Sequence, residues 1–269
     1  MNDQNNPFDL KGRIAMVTGA GQSVGRGIAH LLAAHNAGGV VVNDFFADRA
    51  EAVVAEIEAM GVKAVPMVCD ISDYEAVQAG VAKAEQALGP ISILVNNAGN
   101  MGPSGYQTEF PLFWTTGPDD WDKFFNVNLY GAMYCARAVL PGMAERKYGR
   151  LVTIISDASR TTEPRMAAYC AAKAGAAGFM RGIAGDGGRF GITANNISIS
   201  TMEHPGITPE QREVRMASDA AKAQMSKYVI RRYGMPSDVA AVALLLASDA
   251  GSWITGQTYP VNGGYLVSL

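Results

Sequence analysis

The sequence has few of the residues that build disulfide frameworks and metal sites. It contains three cysteines, Cys69, Cys135 and Cys170, and three histidines among 269 residues. The cysteines are odd in number and widely spaced, and neither CxxC nor HExxH occurs. This pattern argues against disulfides and zinc, and it favours a reducing compartment. We therefore expect a cytoplasmic protein with no metal.

An excess of charge of one sign and long apolar runs are also missing. Lysine and arginine number 22 against 25 acidic residues, and no apolar run approaches the roughly 18 residues of a membrane span. Nucleic acid and anionic membranes are bound by clustered basic residues, so neither is expected as a partner. The polar start, MNDQNNPFD, lacks the apolar core of a signal peptide. Residues 1–8 are expected to form a loose tail.

What the chain does contain is a regular alternation of short apolar runs and longer helical patterns. The apolar runs are nearly continuous, which is typical of strands buried on both faces of a sheet. Alternating strands and helices predict a doubly wound α/β fold, a parallel sheet with helices on both faces, as one domain over residues 1–269. The strands are predicted at 13–17, 39–43, 63–68, 91–96, 151–156, 192–198 and 257–261.

Two connections are much longer than the rest, residues 100–122 and 201–237. Both follow the carboxyl end of a strand, where open α/β sheets bind ligands, and long loops are frequently lids. The first is rich in aromatic residues, which commonly line ligand pockets, and Phe113 and Trp114 are predicted to contact the substrate. The second is predicted to be a substrate lid. The alternative is that both are packed surface loops.

A glycine-rich turn, TGAGQSVGRG, lies between the first strand and the first helix. Gly19, Gly21 and Gly25 form GxGxxxG rather than the GxGxxG fingerprint. Glycines at this point let backbone N–H groups and the helix N-terminus approach a phosphate. The alternative is a tight strand-to-helix turn without a ligand.

Asp44 ends the second strand, in the run VVVND. An acid here accepts hydrogen bonds from the adenosine ribose hydroxyls and repels a 2′-phosphate. The sequence therefore favours NAD over NADP, while nearby Arg49 leaves NADP open. The alternative role for Asp44 is that of a helix N-cap.

Tyr169 and Lys173 are four residues apart in a good helix sequence, so they share one helix face. An ammonium beside a phenol favours the phenolate, and a phenol tuned in this way can exchange a proton with a carbonyl or an alcohol. Taken alone, the pair could equally be a surface pair. Ser156, however, ends the strand LVTIIS, where its hydroxyl can bond a substrate oxygen, and Asn128 begins a helical segment after the aromatic loop.

Together these motifs resemble the short-chain dehydrogenase/reductase family in its single-domain form, from about Leu10 to the C-terminus. The resemblance implies a Rossmann-like sheet of about seven strands in the order 3-2-1-4-5-6-7. The nearest general similarity is to the 3-oxoacyl thioester reductases. The matching stretches are the glycine loop from Thr18 to Gly25, Asp70, the NNAG run from Asn96 to Gly99, Asn128, Ser156, Tyr169 with Lys173, and residues 238–265.

The resemblance also implies a role for each catalytic residue. Tyr169 is the acid/base, and Lys173 lowers its pKa and bonds the nicotinamide ribose. Ser156 orients the substrate oxygen, and Asn128 holds a water that links Lys173 to solvent. The implied cofactor contacts are Gly19, Gln22, Ser23, Val24, Gly25, Asp44, Phe45, Asp70, Ile71, Asn97, Ala98, Gly99, Tyr169, Lys173, Ser200 and Met202, and the predicted substrate contacts are Phe113, Trp114, Ser156, Asp157 and Tyr169.

The chain departs from the family pattern in two places. Ser23 stands where the family has its middle glycine. After the sixth strand, Ile199 and Ser200 stand where members usually carry Pro-Gly, and His204 stands at a usual threonine. We expect altered packing at the first site and a changed backbone path at the second.

The leading hypothesis is an NAD-linked oxidoreductase that interconverts a secondary alcohol and a ketone. The substrate is expected to be apolar or bulky: a hydroxyacyl or 3-oxoacyl thioester, a cyclic alcohol or a steroid-like molecule. The alternatives are a non-catalytic dinucleotide-binding sensor or scaffold and, less favoured at this length, a nucleotide-sugar epimerase or dehydratase. The resemblance further implies a homotetramer, with a homodimer as the alternative.

Overall fold

The computed structural model describes residues 6–101, 110–203 and 206–267. Seven strands form one parallel sheet in the order β3-β2-β1-β4-β5-β6-β7, as predicted. Their positions match the apolar runs of the sequence because the five central strands are buried along nearly their whole length, whereas the two edge strands are only partly buried. The strands are β1 Ile14–Val17, β2 Gly39–Asp44, β3 Ala64–Val68, β4 Ile91–Asn96, β5 Gly149–Ser156, β6 Ile192–Ile199 and β7 Thr258–Val261.

Helices cover both faces of the sheet, and alternate residues of each strand point into two separate cores. Ala15 and Val17 of β1 face the core beneath α1, α2 and α9, while Ile14 and Met16 face the core beneath α3, α5 and α6. The helices are α1 Ser23–Ala34, α2 Ala47–Ala59, α3 Tyr74–Leu88, α4 Pro118–Phe125, α5 Ala132–Arg146, α6 Ala167–Gly187, α7 Pro209–Ala217, α8 Asp219–Met225 and α9 Pro236–Ala247.

Three features of the connections matter for the site. The chain from α4 to α5 runs through a π-helical turn, Asn126–Gly131, without a break. The predicted lid, residues 201–237, contains the short helices α7 and α8. The predicted tail is anchored in its described part, since the Pro7 carbonyl accepts a hydrogen bond from Ala250 N (3.0 Å) and Leu10 is fully buried.

The described residues contain no helix long and apolar enough to cross a membrane. They also contain no group of three or more histidine, cysteine, aspartate or glutamate side chains that could hold a metal ion.

Candidate active site

A cleft of about 1690 Å³ opens along the carboxyl ends of the strands. Each central strand ends there, so residues far apart in sequence meet at one edge of the sheet, as expected for an open α/β fold. All of the predicted cofactor contacts line this cleft. So do Ser156, Asp157, Asn128, Tyr169 and Lys173, whereas Phe113 lines a smaller neighbouring pocket and Trp114 lines neither.

The glycine loop and the NNAG run are fastened to each other. The Thr18 hydroxyl accepts hydrogen bonds from the backbone N–H groups of Asn97 and Ala98, both at 3.0 Å. In return, the Asn97 amide donates to the carbonyls of Thr18 (2.9 Å) and Gly19 (3.0 Å). A Cβ atom on Gly19 would lie 2.9 Å from Ala98 Cα, so only glycine permits this approach. The two loops form one rigid floor for the cleft.

Ser23 begins α1 and lines the cleft in a left-handed backbone conformation, with φ of +48°. This is a conformation that glycine adopts without strain and that other residues adopt at a cost. Ser23 therefore replaces the glycine of the family pattern but adopts a backbone conformation that suits glycine. The Ser23 side chain is partly exposed, so its hydroxyl lies at the cleft, where a glycine would have no side chain.

Asp44 lies at the end of β2 with 6% of its surface exposed. One carboxylate oxygen accepts a hydrogen bond from Gly21 N (3.0 Å), and the other accepts one from Phe46 N (3.1 Å). The N-cap of α2 is Phe46, so Asp44 does not cap that helix. Since each carboxylate oxygen has two lone pairs, both retain capacity for a ligand hydroxyl. The Arg49 guanidinium lies over the Phe46 ring, 4.3 Å from its centroid.

Tyr169 and Lys173 lie one turn apart on α6 and are buried, with 7% and 6% of their surfaces exposed. The Lys173 ammonium donates a hydrogen bond to the Ile154 carbonyl (3.1 Å). Burial lowers the pKa of Lys173 from 10.5 to about 8, because taking a charge out of water favours the neutral form. The lysine is therefore mostly cationic at pH 7 and sits close to its titration range.

Gly99, three residues after β4, lies where two of the predicted catalytic residues meet. A Cβ atom there would lie 2.7 Å from Asn128 Oδ1 and 2.9 Å from Lys173 Nζ. The absence of a side chain at Gly99 thus lets the α6 lysine and the π-turn asparagine approach the same place. The Asn128 side chain is fixed by hydrogen bonds to both backbone groups of Asn100, Oδ1 accepting from N (3.2 Å) and Nδ2 donating to O (2.9 Å).

Ser156 and Asp157 follow each other at the end of β5 but differ in environment. The Ser156 hydroxyl is partly exposed, and its oxygen accepts a hydrogen bond from Ala158 N (3.2 Å), which leaves its proton available for a substrate oxygen. Asp157 is only 2% exposed, and its carboxylate accepts hydrogen bonds from Ser198 Oγ (2.6 Å) and Asn262 Nδ2 (2.7 Å). The Asp157 carboxylate, predicted to contact substrate, also ties the turn after Ser156 to β6 and the C-terminal segment.

The segment after β6, where Pro-Gly is replaced, is held by a residue that the sequence did not single out. The Tyr228 hydroxyl forms a hydrogen bond with Ser200 Oγ (2.6 Å) and accepts one from Thr201 N (3.2 Å). Tyr228 is 5% exposed, and Met202 pairs with Gly234 through an isolated β-bridge. The buried Tyr228 thus holds in place a segment that lacks the proline usual in the family. His204 lies outside the described residues.

The predicted lid is fastened through Glu203, a carboxylate with 6% of its surface exposed. It forms ion pairs with Arg212 Nε (3.2 Å) and Arg215 Nη1 (2.7 Å), both on α7. The Arg215 guanidinium also lies 4.0 Å from the Tyr233 ring centroid. Burial of the carboxylate strengthens these pairs relative to exposed ones. The lid helix is therefore anchored to the segment that follows β6.

A small aromatic pocket of about 120 Å³ lies beside Tyr169. Phe113 stacks on Trp121, with centroids 5.1 Å apart, and Phe124 meets the Tyr169 ring edge-on at 6.2 Å. Trp114, by contrast, leaves 78% of its surface exposed and does not line the pocket. The aromatic loop therefore contributes Phe113 to the pocket, and α4 contributes two rings that the sequence-based substrate set omitted.

Comparison with known proteins gives a consistent answer. A family model described as enoyl-(acyl carrier protein) reductase matches residues 19–266. The chain is 34% identical over 261 residues to the 7α-hydroxysteroid dehydrogenase of Escherichia coli K12, covering 97% of this chain and 96% of that one.

Solved structures agree in both fold and extent. The gluconate 5-dehydrogenase of Burkholderia cenocepacia J2315, in complex with NADP and tartrate, superposes with a TM-score of 0.85 at 30% identity over 98% of each chain. A 7α-hydroxysteroid dehydrogenase complexed with NADH and 7-oxoglycochenodeoxycholic acid gives 0.83 at 33% identity over 96% of each chain. The chain therefore belongs to the short-chain dehydrogenase/reductase family and is an oxidoreductase that acts on CH–OH groups.

Proposed function

We propose that the protein interconverts a secondary alcohol and a ketone with a nicotinamide dinucleotide, NAD in preference to NADP, and that Tyr169 is the acid/base. The observation that carries the proposal is the burial of Tyr169 and Lys173 one turn apart on α6, with Lys173 and the buried Asn128 meeting beside Gly99. The substrate is proposed to be apolar or bulky. This group lies at the carboxyl edge of the sheet beside the partly exposed Ser156 hydroxyl.

The residues of the cleft fit a dinucleotide. The glycine loop presents the N-terminus of α1, where backbone N–H groups and the helix dipole favour a phosphate. Asp44 retains lone pairs for ribose hydroxyls, and Asp70 and Ile71 line the cleft where the adenine is expected. At the other end of the cleft, Tyr169 and Lys173 would bond the nicotinamide ribose. The bound cofactor would supply or accept the hydride.

The chain's own residues would then manage the proton. Ser156 donates a hydrogen bond to the substrate oxygen and polarises the carbonyl. The Lys173 ammonium lowers the pKa of the Tyr169 phenol, so that the tyrosine takes the hydroxyl proton during oxidation and gives it back during reduction. Asn128, fixed by Asn100, is proposed to hold a water that carries the proton from Lys173 to solvent.

The acid/base role of Tyr169 is tested by NADH oxidation with a panel of ketones. Tyr169→Phe keeps the ring and removes the hydroxyl, so we expect a loss of kcat of roughly 100-fold or more. Tyr74→Phe makes the same change on the exposed face of α3 and should leave kcat unchanged. Equal rates for wild type and Tyr169→Phe would disprove the assignment. NADH binding without turnover of any ketone would instead favour the sensor or scaffold alternative.

Cofactor preference is a separate question, because the solved relatives carry both NADP and NADH. The buried Asp44 carboxylate would lie close to a 2′-phosphate and repel it. Asp44→Ala should therefore lower the ratio of kcat/KM for NAD to kcat/KM for NADP. Asp48→Ala, at the start of α2, should leave this ratio unchanged. A wild-type enzyme that prefers NADP would contradict the proposal.

We also propose that the protein is a cytoplasmic homotetramer. The family resemblance carries this proposal, and the small residues of α6 in the run CAAKAGAAGFM suit close helix packing between subunits. Light scattering of the purified protein should give about four times the mass of one chain. A stable monomer would contradict it, and a stable dimer would support the alternative.

A further inference from the structure

We infer that the pocket beside Tyr169 holds a single, uncharged ring of the substrate, so that the preferred substrates are ring-bearing secondary alcohols and their ketones. This inference deepens the proposed function and rests on it. It starts from the position of the pocket, which shares Tyr169 and Met166 with the cofactor cleft. A group seated in the pocket is thus adjacent to the proposed acid/base.

The size and walls of the pocket suit one ring. Its volume of about 120 Å³ is of the same order as the roughly 150 Å³ apolar cavity that takes up benzene in another protein. Phe113 and Trp121 form a nearly parallel stack, with 14° between their planes, and Phe124 presents a further ring. Ring faces and edges favour a guest ring in stacked or edge-on contact.

The aromatic wall is held in place. The Trp121 indole N–H donates to the Thr116 hydroxyl at 2.8 Å, so its polar atom is satisfied within the protein. Phe124 is fixed edge-on against Tyr169, with 70° between the ring planes. Because these rings are already ordered, little conformational entropy is lost when a guest ring enters.

The apolar rings of the wall and the pairing of Lys123 with Asp120 favour an uncharged guest. Lys123 forms an ion pair with Asp120 at 3.0 Å, and the Arg165 guanidinium donates to the Phe110 carbonyl at 3.1 Å. These are the two cations in the described lining of the pocket, and both are engaged. A carboxylate entering the pocket would be desolvated against ring faces and would compete with Asp120 for Lys123. The pocket therefore favours neutral ring substituents over sugar acids.

The test compares acetophenone with 2-butanone, using NADH and the purified full-length protein. Burial of a phenyl group in place of an ethyl group is expected to raise kcat/KM by roughly 10- to 100-fold. Trp121→Ala opens the wall and should bring the two ketones to within a few-fold of each other. Trp121→Phe keeps a ring and should restore most of the preference, which separates loss of the wall from a general folding defect.

Trp253→Ala is the matched control, since it removes an indole that is 98% exposed and lines neither the pocket nor the cofactor cleft. It should leave the ratio of kcat/KM values unchanged. Turnover of 2-butanone with no preference for acetophenone, or an unchanged preference in Trp121→Ala, overturns the inference while the proposed function stands. Failure of the wild type to reduce any ketone of the panel overturns the proposed function and this inference with it.

Discussion

Replacing Lys173 with methionine is expected to stabilise the folded protein near neutral pH while it abolishes turnover. Folding buries the ammonium and lowers its pKa from 10.5 to about 8. At about 1.4 kcal/mol for each pH unit, holding the charge in the fold costs about 3 kcal/mol below pH 8. Methionine fills a similar volume, but the bond to the Ile154 carbonyl is lost, at about 1 kcal/mol. The net gain is about 2 kcal/mol.

The difference in stability between Lys173→Met and wild type should depend on pH, because the pKa of Lys173 is lower in the fold. A lysine whose pKa is lower in the fold than in the unfolded chain releases its proton first in the folded state, so wild-type stability rises with pH above the folded value. The advantage of Lys173→Met should therefore be full below pH 8 and shrink as the pH rises toward 10.5. Above that range, lysine is neutral in both states.

The assay is urea unfolding of the cofactor-free protein, followed by circular dichroism from about pH 7 to about pH 10 at one protein concentration. Lys83→Met, at an exposed position on α3, is the matched control and should show no pH-dependent difference from wild type. The reasoning is refuted if Lys173→Met is less stable than wild type by the same amount throughout. That outcome would mean that the fold compensates the buried charge.

Three further predictions follow from backbone and ion-pair geometry. Gly99→Ala should displace Lys173 and lower kcat by roughly 10-fold or more with an unchanged circular dichroism spectrum, and full activity would contradict it. Ser23→Gly should raise the free energy of unfolding by about 0.5 kcal/mol by relieving the positive φ, and a lower urea midpoint would argue against strain there. Glu203→Gln should release Arg215 and speed tryptic cleavage in α7, whereas an unchanged cleavage rate would show that the lid is held by other contacts.

The fold could be predicted because burial determines where apolar residues recur along the sequence. β1 and β2 are apolar or buried along their whole length, and the helices between them repeat at three and four residues. Such strands must be covered on both faces, which favours a parallel sheet between two layers of helices. The order of the strands came from the family resemblance, since local patterns do not specify which strands become neighbours.

The site was predicted less evenly. Tyr169 and Lys173 could be predicted because a spacing of four residues places both side chains on the same face of one helix. The hydrogen bonds of the Asp157 carboxylate to Ser198 and Asn262 could not be predicted, because a position at a strand end gives no sign of those partners. Tyr228 was missed for a similar reason, as its partners lie 27 and 28 residues away. Contacts of this kind arise from tertiary packing and leave no periodic signal in the sequence.

The π-helical turn between α4 and α5 sets the phase of one helix against the other. One helix end carries the ring pocket through Trp121 and Phe124, and the turn itself carries Asn128. In an α-helix each residue advances the helix by about 100°. Deleting one residue from 126–131 would therefore leave α4 and α5 as helices. It would rotate the pocket by about 100° around the helix axis, away from the proposed proton path. The length of this one turn therefore fixes the position of the proposed ring pocket relative to that of the proposed proton path.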